Sequence, residues 1–204
     1  MSKSEKTRQF IIEKAATLFN RKGYSGTSMS DIMEATGLSK GGIYGNFKRE
    51  GLDKSGVKEE IAVAAFDHAV QTVYETIRER TAVIDNTLDK LKAVVYFYRE
   101  RILDPPVEGG CPIQNTAVEA DDANPALYQK VRAAIEEWKH RIIRTLEKGK
   151  EKGEVKPEIN TEEFAILFIG TLEGGILLAR VHRSVKSFEI MSRQLLHLIE
   201  ELRP

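Results

Sequence analysis

Apolar side chains recur along this chain at helical intervals, and the strict alternation that marks a strand is missing. Ile11, Ala15, Leu18 and Phe19 fall at i, i+4, i+7 and i+8, one stripe that ends at Arg21-Lys22-Gly23, a usual helix stop. Ser28 with Asp31 three places on predicts a capped start for a second, short helix that closes before Gly37. Gly37-Leu38 then makes a turn, and Ser39 caps a third helix to about Phe47. The polar, glycine-containing residues 49–57 follow as a linker that the pattern predicts to be mobile, with no apolar anchor beyond Leu52.

Longer helices are predicted from about Lys58 to Arg80 and from Ile84 to Leu103, where DPPVEGG breaks the chain. PIQNTAVEAD reads as a short helix with Pro112 in its first turn. Asn124-Pro125 starts a helix that ends near Gly149. After the break at GEVKP, Asn160-Thr161 caps a helix through Arg180, and a last helix carries Phe188, Met191, Leu195, Leu198, Ile199 and Leu202. About nine helices and no strand define an all-α protein. Its expected organisation is a three-helix unit at 1–48, a linker or insertion at 49–57 and a helical domain at 58–204.

The stretch GLSKGGIYGNF, Gly37 to Phe47, sits oddly in this pattern. Three glycines inside one short helix lower its stability by roughly 2 to 3 kcal/mol relative to alanines. A short helix, a tight turn and a second short helix form a helix-turn-helix, whose second helix enters the DNA major groove. On that helix Lys40, Gly41, Tyr44, Gly45 and Lys48 share an arc of roughly 140°, with Ile43 and Phe47 beside it as anchors towards Ile11, Ala15, Ile32 and Met33. Missing side chains let the backbone come close to bases and phosphates. The competing reading, a glycine-rich phosphate loop, lacks the strand that should precede it.

Charge supports a polyanion partner for the N-terminal part only. The 204 residues carry 31 basic and 31 acidic side chains, yet residues 1–49 hold nine Lys/Arg against four Asp/Glu. Uneven scatter is the plainer explanation of the same split. One cysteine, Cys111, excludes an intrachain disulfide framework. No signal-peptide run opens the chain, and the longest apolar segment, FAILFIGTLEGGILLARV, is interrupted by Thr171, Glu173 and glycines; no membrane span and a cytoplasmic location are expected.

The run FIIEKAATLFNRKGYSGTSMSDIMEATGLSKGGIYGNFK resembles the DNA-binding domain of TetR/AcrR-type transcriptional regulators, down to the Gly-Leu-Ser-Lys-Gly…Ile-Tyr-x-x-Phe recognition helix. The resemblance implies that Ser28, Tyr44 and Lys48 contact phosphates, that Lys40 and Gly41 sit where bases are read, and that Ser39, Gly42 and Asn46 belong to the same surface. It also implies a C-terminal helical domain that binds a small molecule and dimerises. One departure stands out. In the family an acidic, Lys-led start to the fourth helix follows the motif almost at once, whereas here KEEI begins at Lys58, about eight residues later. A loop of that size is easily closed, but it puts in question the coupling of the fourth helix, and of Lys58, to the DNA reader.

By the same resemblance the helix from Thr161 and the last helix build a four-helix dimer bundle. Gly170, Gly174, Leu178, Met191, Leu195 and Leu198 are its expected interface; the alternative is a core helix within one subunit. Phe66, Tyr74, Phe97, Cys111, Trp138 and Phe168 are the expected ligand-contacting set, drawn from side chains that would otherwise be ordinary core. Cys111, ahead of Pro112 at a helix start, is either a small residue beside a turn or a thiol made reactive by the helix N-terminus. His68, His140, His182 and His197 lie on separate helices without metal-type spacing, and no GxSxG, HExxH or acid–base pair appears, so no metal, cofactor or catalytic residue is expected. Asp121-Asp122 near Glu119 read as a solvated helix end.

The function expected is therefore a homodimeric regulator, a repressor that leaves a palindromic double-stranded operator when an unidentified small-molecule effector binds. An architectural DNA protein without ligand control and a small-molecule enzyme on a borrowed fold are the alternatives. Sequence-specific DNA binding argues against the second, and its abolition by a small molecule against the first.

Overall fold

A computed structural model describes residues 2–47, 54–120 and 124–204. Lys48, residues 49–53 and Asp121-Asp122 lie outside the described residues. Among the described residues every regular element is a helix: α1 (Lys3–Gly26), α2 (Met29–Thr36), α3 (Lys40–Phe47), α4 (Lys54–Thr81), α5 (Thr87–Arg101), α6 (Pro112–Ala120), α7 (Pro125–Glu151), α8 (Thr161–His182) and α9 (Lys186–Glu201).

The helix ends follow local chemistry. Ser2 and Ser28 close capping boxes with Glu5 and Asp31, each three residues on. Asn86, Asn124 and Asn160 accept first-turn N–H groups of α5, α7 and α8. The stop expected at Gly23 appears as a kink within α1, where Gly23 takes φ 75° and ψ 173°. Helix α7 ends at Glu151, close to the stop expected near Gly149, and a Cβ at Gly149 would come within 2.6 Å of Val155 Cγ2 and 2.8 Å of Thr87 Cγ2. The role of Gly149 is close approach, and the chain turns four residues later at Gly153, φ 69°.

The chain divides into two compact units. One comprises Met1–Val73 with Val107–Arg132, the other Tyr74–Pro106 with Ala133–Pro204. In the first unit α1, α2 and α3 enclose Ile11, Ala15, Ile32, Ile43 and Phe47, joined by Val57, Ile61, Ala65 and Ala69 from α4. These last four recur every fourth residue, a helical stripe that begins at Val57. That stripe corrects only the C-terminal end of the expected linker, residues 54–57, since 49–53 lie outside the described residues. Helix α4 starts at Lys54, four residues before Lys58.

In the second unit α8 packs on α9 and both contact α5. Phe168, Leu172, Phe188, Leu195 and Ile199 are buried there. Helix α8 is more apolar than its interruptions suggest: by length and composition alone it could cross a membrane, a test that the core helix of a folded domain also passes, so the expectation of no membrane span is not overturned. Only 39% of its apolar stretch is buried, which leaves an apolar face on the outside.

Candidate nucleic-acid interface

Helix α2 is held at both ends. The Ser28 hydroxyl accepts the Asp31 N–H at 3.1 Å, and the Asp31 carboxylate accepts the Ser28 N–H at 2.7 Å. Lys22 Nζ lies 2.6 Å from the same carboxylate. The Lys22 contact first, then the Ser28 hydroxyl and N–H, hold the Asp31 carboxyl far below the usual carboxylate range. At the other end Gly37 takes the left-handed conformation, φ 67°, and its N–H reaches Met33 O at 2.9 Å. Only glycine enters that conformation without strain, so the turn into α3 is set by one residue.

Helix α3 begins under the Ser39 hydroxyl, which accepts the Gly42 N–H at 3.2 Å. Ile43 and Phe47 are buried beneath it, and the Arg8 guanidinium lies 4.3 Å over the Phe47 ring. On the opposite side Lys40, Gly41 and Gly45 are exposed and Tyr44 is half-buried. Lys40 Nζ lies 5.6 Å from the Tyr44 ring centre. A Cβ at Gly41 or Gly45 would meet no protein atom within 4 Å. The face is therefore low, cationic and without a partner among the described residues.

The structure thus brings Ser28, Ser39, Lys40, Gly41, Gly42 and Tyr44 to one helix pair. Asn46 is there too, but its amide donates to Gly42 O at 2.7 Å and its carbonyl accepts the Ser4 hydroxyl at 2.9 Å. It positions α3 against α1 and has less left for an external contact. Lys58 sits 4.2 Å over the Tyr24 ring; burial lowers its pKa, with Glu119 and Asp31 opposing.

Long-range contacts tie this reader to α6, and short sequence windows give no sign of them. Glu119 accepts the N–H groups of Tyr24 and Ser25 at 2.5 and 2.6 Å, capping the short helical turn after the Gly23 kink. Burial alone would raise the Glu119 pKa, but those N–H bonds and the Lys58 charge carry it below its ordinary value. Asn20 donates to Glu108 O and Gly110 O at 2.9 and 3.1 Å. Asn115 in turn donates to Asn20 O at 2.9 Å. A Cβ at Gly109, φ 117°, would overlap Asn20 O at 2.5 Å, so this clamp requires glycine.

The expected ligand set divides. Tyr74, Trp138 and Phe168 line one cavity of about 300 Å3 in the second unit. Phe66 instead borders a cavity of about 30 Å3 in the first unit. Phe97 is buried edge-on against Tyr98, with centroids 5.1 Å apart, and Cys111 is buried at the start of α6; neither lines the larger cavity. The expected dimer set divides as well. Gly170 and Leu178 are exposed and Gly174, Met191 and Leu198 half-buried, whereas Leu195 is 0% exposed and packs inside its own unit. The outer face of α8 supplies large apolar side chains beyond the expected set: Ile166, Leu167, Leu177 and Val181. With Gly170, Gly174 and Leu178 they share an arc of about 120°.

A capped helix, a left-handed turn and an exposed cationic helix on a three-helix core define a helix-turn-helix DNA-binding domain. Comparisons with known proteins agree. The family described as bacterial regulatory proteins, tetR family, matches residues 11–49, and the tetracyclin repressor-like C-terminal domain matches residues 87–195. A TetR transcriptional regulator from Chloroflexus aurantiacus superposes with a TM-score of 0.90 at 40% identity over 100% of this chain and 98% of that one. A TetR-family regulator from Cytophaga hutchinsonii gives 0.88 at 34%, again over 100% and 98%. An uncharacterized HTH-type transcriptional regulator of Mycobacterium tuberculosis is 28% identical over 94% of this chain and 93% of its own. The chain belongs to the TetR family of transcriptional regulators. These relatives are regulators and not enzymes, and family members act on DNA, typically as cytoplasmic dimers with small-molecule effectors.

Proposed function

We propose that the protein is a cytoplasmic, homodimeric repressor that a small molecule releases from a palindromic operator. The observation that carries ligand control is the cavity of about 300 Å3, whose floor is the buried side chains Leu91, Trp138, Ile142 and Phe168. An apolar concavity with a few polar groups at its edge is the usual form of a small-molecule site. Lys40 and Gly41 read base edges in this proposal, while Ser28, Ser39, Gly42, Tyr44 and Lys48 fix the register on phosphates. The outer arc of α8 supplies the dimer contact. Repression is supported by a relative described as the transcriptional repressor DhaR of a Mycobacterium species, 23% identical over 87% of this chain and 84% of its own.

Ligand would act by population shift, favouring a spacing of the two readers that no longer fits successive major grooves, roughly 34 Å apart. Footprinting on genomic fragments tests this. Two protected half-sites about one helical turn apart are expected, with protection lost when a compound that changes Trp138 fluorescence is added. Protection that survives every such compound would leave a DNA-binding protein without ligand control.

A further inference from the structure

The rim of the larger cavity carries charge of one sign. Arg78 from α4, Lys90 from α5, and Arg141, Arg144 and Lys148 from α7 line it, and no Asp or Glu does. Three helices converge there, so this is more than the solvated face of a single helix. Two carboxylates lie near. Glu137 pairs with Arg141 at 2.8 Å and with Arg144 at 3.1 Å, and Glu154 feels the Lys90 charge. The five cations of the lining therefore face no carboxylate of the lining itself, and Glu137 is shared between two of them. Arg78 and Lys148 have no ion pair among the described residues.

The interior is of the opposite kind. Leu91, Trp138, Ile142 and Phe168 are each no more than 6% exposed. Low-dielectric walls beneath a cationic rim focus the field outward and raise the local concentration of anions. Arg141 is already oriented, its guanidinium 4.5 Å over the Tyr74 ring, whose hydroxyl donates to Ala134 O at 3.0 Å. Oriented guanidinium groups suit the planar, two-oxygen face of a carboxylate or phosphate. A cationic ligand would find no carboxylate on the lining, and a neutral one would leave the rim charges without a role. At the ~30 Å3 that a water molecule occupies, the cavity has room for roughly ten non-hydrogen atoms.

Building on the ligand-responsive reading, we propose that the effector is an amphipathic organic anion. Its aliphatic or aromatic body of roughly ten non-hydrogen atoms lies against Trp138, Ile142 and Phe168, and its carboxylate or phosphate head meets Arg78, Arg144 and Lys148.

Trp138 is the single tryptophan of the chain, so its intrinsic fluorescence reports occupancy directly. The probes are octanoate, octyl phosphate, 1-octanol and octyltrimethylammonium, which share one tail and differ in the head. The full-length protein should bind octanoate or octyl phosphate at least about tenfold more tightly than the alcohol or the ammonium, with affinity falling as salt rises. The tighter of the two anions identifies the head group. The double variant Arg78→Gln, Lys148→Gln should weaken the anion by about tenfold or more and leave octanol unchanged, with a thermal melt confirming the fold. Octanol binding as tightly as the anions, or the ammonium binding more tightly, overturns the proposal while ligand control stands. Silence of Trp138 to all four probes also overturns it. If operator release by other compounds then proceeds without any change at Trp138, the effector binds elsewhere; if no compound releases operator, ligand control itself fails.

Discussion

Helices α3 and α8 each carry three glycines, and the two sets are surrounded differently. In α3, Cβ atoms at Gly41 and Gly45 would enter open space, and one at Gly42 would make only ordinary contact, 3.5 Å from Ser39 Oγ. Nothing among the described residues offsets the roughly 0.5 to 1 kcal/mol that each glycine costs relative to alanine; in the proposed function the offset is close approach of DNA. In α8 the setting changes along the helix. A Cβ at Gly175 would come 2.9 Å from the Phe188 ring and one at Gly174 3.4 Å from Met191 Cε, while one at Gly170 would meet nothing. Gly175 therefore serves packing of α9 on α8 within one chain, and Gly170 stands open on the apolar outer arc. Glycine content alone does not separate a DNA-facing helix from a packed one. What an added methyl would touch does.

The largest expected effect sharpens the contrast within α8. Gly170→Glu places a carboxylate on an open position of its own subunit but at the centre of the proposed dimer face. Burying that charge unpaired should weaken self-association by at least about 3 kcal/mol, roughly a hundredfold in Kd, without loss of helix signal. Sedimentation that shows an unchanged dimer would move the interface off this arc. Gly175→Ala should instead destabilise the subunit by about 1 to 3 kcal/mol through overlap with Phe188, visible as a Tm lowered by several degrees. A raised Tm would mean that α9 gives way and the close packing is not needed.

On the α3 side, Lys40→Ala should cost about 1 to 3 kcal/mol of discrimination at one operator position. Tyr44→Ala should weaken specific and random DNA alike. Wild-type titrations from both at fixed salt would remove α3 as the reader. Gly41→Ala and Gly45→Ala should each raise folding stability by about 0.5 to 1 kcal/mol while lowering operator affinity. A gain in stability with no loss of affinity would break the comparison, because the glycines would then lack an external reason. The smallest effect concerns the α2 cap. The folded pKa of Asp31 lies below its unfolded value, so its contribution is complete above the usual carboxylate range and is lost as pH falls towards the folded pKa. The Tm gap between wild type and Asp31→Asn should be full at neutral pH and close in acid; a gap independent of pH would assign it to packing.

Local chemistry is readable in the chain because its partners lie within one helical turn. Ser28 with Asp31, Ser39 with Gly42 and Asn160 with Glu163 are each three residues apart, the interval at which a side chain reaches a first-turn N–H. The left-handed turn at Gly37 is equally local, and with these caps it makes the two short helices of the DNA reader legible in the residues alone. Val57 escapes such a reading because one apolar residue among polar neighbours looks like linker until Ile61, Ala65 and Ala69 are seen to continue its stripe into the same core.

Periodicity determines which face of a helix is apolar, but it does not say what that face meets. Phe66, Tyr74, Phe97, Trp138 and Phe168 all look alike as aromatics on amphipathic helices, and only packing separates those that line the larger cavity from those that do not. Leu195 and Leu178 likewise read as one dimer stripe, yet one is sealed inside its unit and the other is exposed. Glu119 caps Tyr24 across 95 residues, and Arg78, Lys90 and Lys148 come to one rim from three helices. Caps, turns and helical faces are settled by interactions within a few residues and so lie in the sequence itself. Cavity, clamp and charged rim depend on which distant faces pack together, and only the tertiary structure decides that.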